Sequence, residues 1–483
     1  MNKNNVLLLK IVFALLAFAA GTGCLDRMIE PAKPDEKESR AQQQVLRVLY
    51  SNHEAGPEAV IDAMETYSRQ TGIRIEVEAL PYNNLQEKVF SELAQGKGTY
   101  DLIAVDTPWM PKVIEHLEPL SSYIKQSNHP DSIKLDDFIA KVFLDTSVFR
   151  LDSPQAEPPS LETVSLDGIT SAGFEIWSLP IQSNALTVSY RKDLFESPQY
   201  REEFRRLYGR ELEIPRTFDE YAQLAKFFTR DTDGDGKTDL YGTTLMGSRH
   251  EANFVDFKSF LNSFGGRLFD DDFEPAFQSK EGVEALQTYG SWINEYKITP
   301  PDVLTYTWDE VSVVFEFGKA AMGMNYHNMR LNPKVGGEVG YFMFPGTMES
   351  GALIRGPHFG SWGLAINRYS RQKEDAYALA EYLTSPQSQM GYLKFNHHVT
   401  RKSAYEQAQH ITDPSLREYY RVLGDSLRVG VGRPRITNYE QVSDAVQSAV
   451  HEYLTGEKTA QDALSDAAAE VRGLMRQAGY HKS

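Results

Sequence analysis

The residues after position 44 alternate between strand-like and helix-like patterns, and this alternation constrains the fold more than any other feature. Pro57 opens an amphipathic stretch that Gly72 ends, and a second amphipathic stretch carries Leu85 and Leu93. Short apolar runs that predict strands flank these helices at 45–50, 73–79 and 101–105, and a third helix is predicted from Pro108. The β-α-β-α-β order is typical of an α/β fold with a parallel sheet covered by helices.

Ligands of such sheets bind in the crevice beyond the carboxyl ends of the strands. The loops at 51–56, 80–84 and 106–109 follow the three predicted strands, so we expect them to face one crevice. These loops supply three candidate polar ligand contacts, Asn52, Glu54 and Asn83.

The first 23 residues have the character of an export signal. Lys3 and Lys10 precede the apolar run 11–20, which is too short to span a bilayer comfortably. Cys24, the single cysteine, follows small residues and resembles the lipidation site of a bacterial lipoprotein. The alternative is ordinary cleavage after Ala17-Phe18-Ala19. Residues 24–44 are polar, contain two prolines and are predicted to be a tether.

The composition excludes some classes of function. A net charge of -17 disfavours nucleic-acid partners and favours a neutral or cationic ligand. One cysteine cannot form an intrachain disulfide, so an exported fold must be stabilised by packing and by any bound metal.

Further along the chain, two segments match the capping-box pattern that begins a helix, Thr217 to Glu220 and Thr307 to Glu310. Trp308 is therefore expected to cover a helix start, and Trp292 has the spacing of a core residue. Amphipathic helices are predicted at 375–383 and within 439–477, with a break at Gly456. The segment 151–171, rich in Pro, Ser and acids, is predicted to be a surface excursion.

Seven segments together resemble the extracellular solute-binding proteins of sugar ABC importers, the family typified by maltose-binding protein. They occur in the order of the family and span most of the chain: 101–109 with 117–120, 179–185 leading to 190–195, 215–220, 264–269, 317–322, 360–366 and 433–436.

The resemblance implies two α/β lobes that close on a ligand about hinge strands. It places 45–182 and 357–402 in lobe one, and 183–356 and 403–483 in lobe two. It also implies a monomer that captures a carbohydrate, delivers it to an ABC permease and catalyses nothing. With lipidation at Cys24, the expected location is the periplasm or the outer face of the cytoplasmic membrane, as a membrane-anchored lipoprotein.

The same resemblance suggests which side chains contact the ligand. Sugars offer apolar C–H faces and a rim of hydroxyls, so aromatic rings, amides and carboxylates suit them. Asn184 stands where maltose-binding protein, the typical member of the family, carries a ligand-binding carboxylate. The candidates from the cleft loops are Trp109, Trp362, Trp177, Asn184, Glu251, Asn253, His327, Asn328 and Arg401. For each, core packing or a solvated loop is the structural alternative.

An acidic loop has the spacing of a calcium site. Asp231, Asp233, Asp235 and Asp239 occupy positions one, three, five and nine, and the Lys237 carbonyl would serve position seven. Gly242 stands where a bidentate glutamate is expected, so a distant carboxylate would have to complete the set. We expect structural Ca2+ here; the alternative is a solvated acidic turn.

Two other functions stay open at this stage. An exported carbohydrate-active enzyme would use two carboxylates across a sugar, and sequence identifies no such pair. A ligand-binding subunit of a membrane sensor would keep the fold and change the output.

Overall fold

The computed structural model describes residues 45–52, 56–127 and 133–480. The predicted export signal, Cys24, the tether and Glu54 lie outside the described residues.

The strands form two main sheets. They are β1 Val45–Ser51, β2 Arg74–Leu80, β3 Leu102–Asp106, β4 Val148–Phe149, β5 Glu175–Ile176, β6 Leu179–Ala185, β7 Thr187–Arg191, β8 Met322–Asn325, β9 Val339–Met343, β10 Thr347–Glu349, β11 Ala352–Ile354 and β12 Phe359–Ile366. The first sheet has the order β2-β1-β3-β12-β6 and the second β8-β7-β9. The elements packed on each sheet are called the first and the second lobe below.

The described α-helices are α1 Pro57–Thr71, α2 Tyr82–Ala94, α3 Met110–Val113, α4 Ser121–Gln126, α5 Ala140–Ser147, α6 Leu166–Ser171, α7 Lys192–Glu196, α8 Pro198–Tyr208, α9 Phe218–Phe228, α10 Glu251–Ser263, α11 Lys280–Asn294, α12 Trp308–Glu316, α13 Lys373–Thr384, α14 Pro386–Tyr392, α15 Lys402–Ala408, α16 Pro414–Val429, α17 Tyr439–Leu454 and α18 Ala460–Gln477.

The first sheet confirms the predicted parallel unit. β1 pairs in parallel with β2 and with β3, and Gly72 ends α1 in the left-handed conformation that glycine adopts without strain. The helix predicted from Pro108 is shorter than expected: a 3-10 turn, Thr107–Trp109, leads into the four residues of α3. β12, from late in the chain, lies antiparallel between β3 and β6.

The second lobe has an aromatic core between helices α9, α10 and α11. Phe218 stacks on Phe260 with ring centroids 4.7 Å apart, and Tyr221 stacks on Trp292 at 4.8 Å. Trp292 is 1% exposed, as its helical spacing predicted. Both predicted capping boxes are present, at the starts of α9 and α12.

Three chain segments lie side by side where the lobes meet. Only Leu186 separates β6 from β7, and its N–H donates to the His358 carbonyl at 2.9 Å. The Val431 N–H donates to the Pro357 carbonyl, also at 2.9 Å. We call 186, 356–358 and 430–432 the linking segments. The predicted boundaries of the two lobes stay a prediction.

Candidate functional site

A small cavity lies between the two lobes, at the carboxyl ends of the first sheet's parallel strands. Its volume is about 50 Å³, room for one or two water molecules. The lining residues come from both lobes and the linking segments: Tyr82, Asp106, Asn184, Val255, Trp308, Tyr326, His327, His358, Gly360, Trp362 and Arg433. Tyr82 and Asp106 belong to two of the three loops expected to face one crevice, so that expectation is confirmed for them.

Strand pairing explains why several of these residues meet. In β12, Gly360 and Trp362 are two residues apart and so point to the same face of the sheet. Gly360 pairs with Asn184 of β6, and Trp362 pairs with Asp106 at the end of β3. The register therefore places an amide, an indole and a carboxylate together at one end of the sheet.

Tyr82, the first residue of α2, is the centre of an aromatic cluster. Its ring centroid lies 5.3 Å from that of Trp109, 6.0 Å from that of Trp362 and 6.1 Å from that of Trp308. Trp308 begins α12 in the second lobe, so its contact with Tyr82 joins the two lobes across the cavity. The expectation that Trp308 only covers a helix start is therefore incomplete, because this ring also lines the cavity.

Trp109 does not line the cavity. It is 0% exposed, beneath Tyr82 and Trp362, and Phe90 packs edge-on against it with centroids 5.9 Å apart. The sequence analysis expected the Trp109 ring to contact the ligand. The Tyr82 ring lines the cavity instead, and it packs on the buried Trp109 ring.

Arg433 forms a buried ion triad with two carboxylates. Its guanidinium donates to Asp106 at 2.7 Å and to Glu251 at 3.3 Å. The Tyr82 hydroxyl donates to the other oxygen of Asp106 at 2.9 Å, and the Tyr439 hydroxyl donates to Glu251. Asp106 ends a first-lobe strand and Glu251 begins a second-lobe helix, so the triad links the two lobes through one arginine.

Burial governs the electrostatics of this triad. It raises the pKa of Asp106 and of Glu251, and Arg433 acts in the opposite direction on both. Burial alone would lower the pKa of Arg433, but Asp106, Tyr439, Tyr82 and Glu251 together raise it well above its ordinary value. The arginine is therefore held firmly in its charged form.

His358 supplies a neutral polar group. Burial, followed by the positive charges of Arg433 and Lys258, lowers its pKa well below the usual range. Its Nδ1 lies 3.1 Å from the Tyr326 hydroxyl, and its Nε2 has no hydrogen-bond partner within the described part of the chain. A neutral imidazole nitrogen can donate a hydrogen bond to a ligand hydroxyl or accept one from it.

Gly360 keeps one corner of the cavity open. A Cβ there would lie 3.1 Å from Asn184 Oδ1, 3.5 Å from an Arg433 nitrogen and 3.6 Å from His358 Cε1. Any side chain at this position would fill the space between three polar groups.

The predicted ligand contacts divide into residues that line the cavity, residues that lie outside it, and residues that are packed inside the protein. Asn184, His327 and Trp362 line the cavity. Asn52 and Asn83 are exposed and Asn328 is partly buried, and none of these three lines it.

The structure gives the other candidates packing roles. The Trp177 indole donates to the Phe149 carbonyl at 3.1 Å, and the fully buried Asn253 donates to the Gln447 carbonyl at 3.4 Å. Arg401 is 0% exposed and donates to the Ile133 carbonyl at 2.7 Å and the Lys134 carbonyl at 3.0 Å. Glu251 is held in the triad. None of these four residues lines the cavity.

Sequence reasoning missed six lining residues that carry chemistry: Tyr82, Asp106, Trp308, Tyr326, His358 and Arg433. Asp106 and Arg433 lie inside two of the segments that carried the family resemblance, and this was a usable signal. His358 lies two residues before another such segment. Nothing local in the sequence marked Tyr82 as the central ring.

The acidic loop brings together three of its predicted ligands. Carboxylate oxygens of Asp231, Asp233 and Asp239 lie within 4.8 Å of one another. The Asp235 carboxylate instead accepts from the Lys237 N–H at 2.8 Å. Hydrogen bonds from the backbone N–H groups of two loop glycines lower the pKa of Asp231. The cluster offers the hard oxygen donors that suit Ca2+.

The fold and the site together define a two-lobed binding protein with a cavity between the lobes. The model of the bacterial extracellular solute-binding protein family matches residues 50–390, and the chain belongs to this family. In the described ranges no helix is long and apolar enough to cross a membrane.

Individual relatives are distant but nearly full-length. The chain is 25% identical over 436 residues to a mannitol-binding protein of Pseudomonas aeruginosa, covering 83% of this chain and 86% of that one. It is 23% identical over 438 residues to a probable amino-acid ABC transporter periplasmic-binding protein of Sinorhizobium fredii, with 88% and 89% covered. The maltose-bound MalE3 protein of T. maritima superposes with a TM-score of 0.70 at 26% identity, covering 89% of this chain and 99% of that one.

Proposed function

We propose that this protein is the receptor of an ABC importer for a small neutral polyhydroxyl ligand, a sugar alcohol or a small sugar. The observation that carries the proposal is the interlobe cavity, where aromatic rings and hydroxyl-binding groups converge from both lobes. Mannitol and maltose are the ligands named for two of the similar proteins.

The chemistry of the lining matches such a ligand. Tyr82, Trp308 and Trp362 present faces and edges for C–H groups. The Asp106 carboxylate can accept hydrogen bonds from hydroxyls, the Asn184 amide can accept and donate them, and His358 is neutral. An amino acid would need a free cation for its carboxylate, and Arg433 is already occupied by two carboxylates.

Ligand entry requires the lobes to separate. A cavity of about 50 Å³ is far below the roughly 300 Å³ at which pockets for small molecules begin. Opening would part Tyr82 from Trp308, an aromatic contact between the lobes, and closure on the ligand would restore a compact state for the permease to recognise.

The test is binding by the mature chain from residue 44 onward. We expect mannitol, ribitol, tagatose or maltose to raise Tm and to give a Kd by calorimetry, with tryptophan fluorescence changing as the rings are covered. Trp362→Ala should weaken binding at least tenfold, whereas Trp292→Phe, in the second-lobe core, should leave the Kd unchanged. Binding of amino acids but of no polyol or sugar would contradict the proposal, and turnover of a bound sugar would favour the exported enzyme.

We further propose that Cys24 carries a lipid anchor on the outer side of the membrane and that the acidic loop holds structural Ca2+. The first proposal is supported by the small residues before Cys24. Metabolic labelling with a fatty acid tests it: the wild-type protein should be labelled, and Cys24→Ser should be unlabelled and should appear in the soluble fraction. If the wild-type protein is also unlabelled and soluble, the signal is removed by ordinary cleavage.

A further inference from the structure

A second, larger cavity lies behind the linking segments, on the side away from the ligand cavity. Its volume is about 910 Å³. Phe359 lines it, whereas the next residue, Gly360, lines the ligand cavity. Because neighbouring residues of a strand point to opposite faces, the two cavities lie on opposite faces of β12. We call the larger one the rear groove.

Both lobes and a linking segment contribute to the rear groove. Lys141 lies on α5 of the first lobe and donates to the Gly430 carbonyl. Lys258 lies on α10 of the second lobe and donates to the Val431 carbonyl at 2.9 Å. Lysines from opposite lobes thus hold two successive carbonyls of the same linking segment.

Three cations of this groove form no close ion pair. Across the described ranges, no carboxylate oxygen lies within 4.0 Å of a charged nitrogen of Lys141, Lys258 or Arg435. Lys258 is 2% exposed and Arg435 is 6% exposed. Arg435 donates to the Val148 carbonyl through one nitrogen, while its Nε and Nη1 have no partner among the described residues. A buried guanidinium cannot shed its charge, so this arrangement is costly without a counter-ion.

Four carboxylates also line the groove, but none forms a close ion pair with Lys141, Lys258 or Arg435. Burial raises the pKa of Asp145 to about 6 and lowers the pKa of Lys258 to about 7, so the two groups meet neither as a hydrogen-bonded pair nor in their ordinary charge balance. Asp271 is paired with Arg267 at 3.2 Å on the exposed rim, and Asp270 accepts hydrogen bonds from backbone N–H groups of its own turn. Glu157, on the surface excursion, is the fourth.

We propose that the rear groove binds a small oxyanion, carrying carboxylate or phosphate groups, between Lys141, Lys258 and Arg435. The volume suits a molecule larger than a single ion, and the unpartnered N–H groups of Arg435 mark where hydrogen bonds are missing. The anion is a ligand distinct from the neutral solute of the interlobe cavity.

Binding of such an anion would be coupled to binding of the solute in the interlobe cavity. It would contact both lobes and the segment between them, and Arg433, two residues from Arg435, belongs to the triad at the ligand cavity. A change in the distance between the lobes alters both cavities at once. We therefore expect the anion to change the Kd of the cavity ligand, and the cavity ligand to change the Kd of the anion by the same factor.

The experiment uses the mature chain with inorganic phosphate and with citrate, each compared with sodium chloride at equal ionic strength. Saturable binding by calorimetry and a rise in Tm beyond that in chloride are expected for at least one oxyanion. Lys258→Met and Arg435→Gln should raise its Kd at least tenfold. Lys280→Met removes a cation from an exposed helix position outside the groove and should leave the Kd unchanged.

The two anions distinguish the chemistry of the natural ligand: tighter phosphate binding indicates a phosphate group, and tighter citrate binding a carboxylate. Lys141→Met, at an exposed position, tests the site if either buried variant fails to fold by circular dichroism. The proposal is overturned if neither anion exceeds chloride, or if folded groove variants bind as wild type does. Polyol binding measured in parallel separates this failure from a failure of the proposed function.

Discussion

Two groups of acidic side chains in this protein handle their charge in opposite ways. In the interlobe cavity, Asp106 and Glu251 are buried and share one internal cation, Arg433. In the acidic loop, Asp231 and Asp233 are exposed and no arginine or lysine of the described chain forms an ion pair with them. The chain supplies its own counter-charge to the buried carboxylates, whereas in the exposed cluster backbone N–H groups donate hydrogen bonds to the carboxylates.

The largest effect should come from removing the internal cation. Arg433→Met leaves two buried carboxylates without their partner, which should lower the free energy of unfolding by about 3–5 kcal/mol. Urea unfolding at pH 7 measures this loss. Arg267→Met breaks the exposed pair with Asp271 and is the matched control, expected to change stability little. Equal losses in the two variants would mean that the triad is no stronger than a surface pair.

Added Ca2+ should stabilise the protein through the acidic loop and not through the triad. If Ca2+ binds the folded loop, calcium well above its Kd should raise Tm by a few degrees, and a chelator should reverse the rise. Asp231→Asn should abolish this response, while Asp270→Asn, in another exposed turn, should retain it. A calcium response that survives Asp231→Asn would place the ion elsewhere.

A third change alters the shape of the cavity without touching a charge. Gly360→Ala places a methyl group 3.1 Å from Asn184 Oδ1, so it should raise the Kd of the cavity ligand about tenfold, equivalent to about 1.4 kcal/mol. Calorimetry with the best polyol measures it. Gly391→Ala is a suitable control because a Cβ there meets nothing within 4 Å. Unchanged affinity would show that this corner is not occupied by ligand.

The smallest expected effect is a contrast in pH dependence. Burial raises the pKa of Glu251, so its contribution to stability is greatest below its ordinary pKa of 4.5 and decreases as the pH rises through the folded value. The pKa of Asp231 is lowered, so its contribution is present above 3.8 and is lost as the pH falls. Glu251→Gln and Asp231→Asn should therefore change the slope of stability against pH in opposite directions, measured by urea midpoints between pH 3 and 7 without calcium. Slopes that change in the same direction would contradict the comparison.

The sequence predicted the local structure well because the relevant signals are local. Gly72 ends α1, and Thr217 and Thr307 cap α9 and α12, through contacts within a few residues. The loops after the parallel strands were predicted to meet because topology alone brings them to one edge.

The site was only partly predictable, because burial depends on contacts between distant segments. Arg433 meets Asp106 across 327 positions of the chain, and Arg401 is buried by carbonyls at 133 and 134. Trp109 and Tyr82 both lie on cleft loops, and only the packing decides that the tyrosine covers the tryptophan. The family resemblance identified the right segments but could not rank their side chains.

The position of β12 has a consequence for how this chain is made. The position between β3 and β6 in the first sheet is filled by a strand that begins 253 residues after β3 ends, since 359 minus 106 is 253. At synthesis rates of about 5–20 residues per second, that gap lasts roughly 13 to 50 seconds. During this time the first lobe lacks β12 and cannot complete its core. A fragment that stops before residue 359 would share the same defect permanently, so the two lobes cannot be produced as independent halves by cutting the chain once.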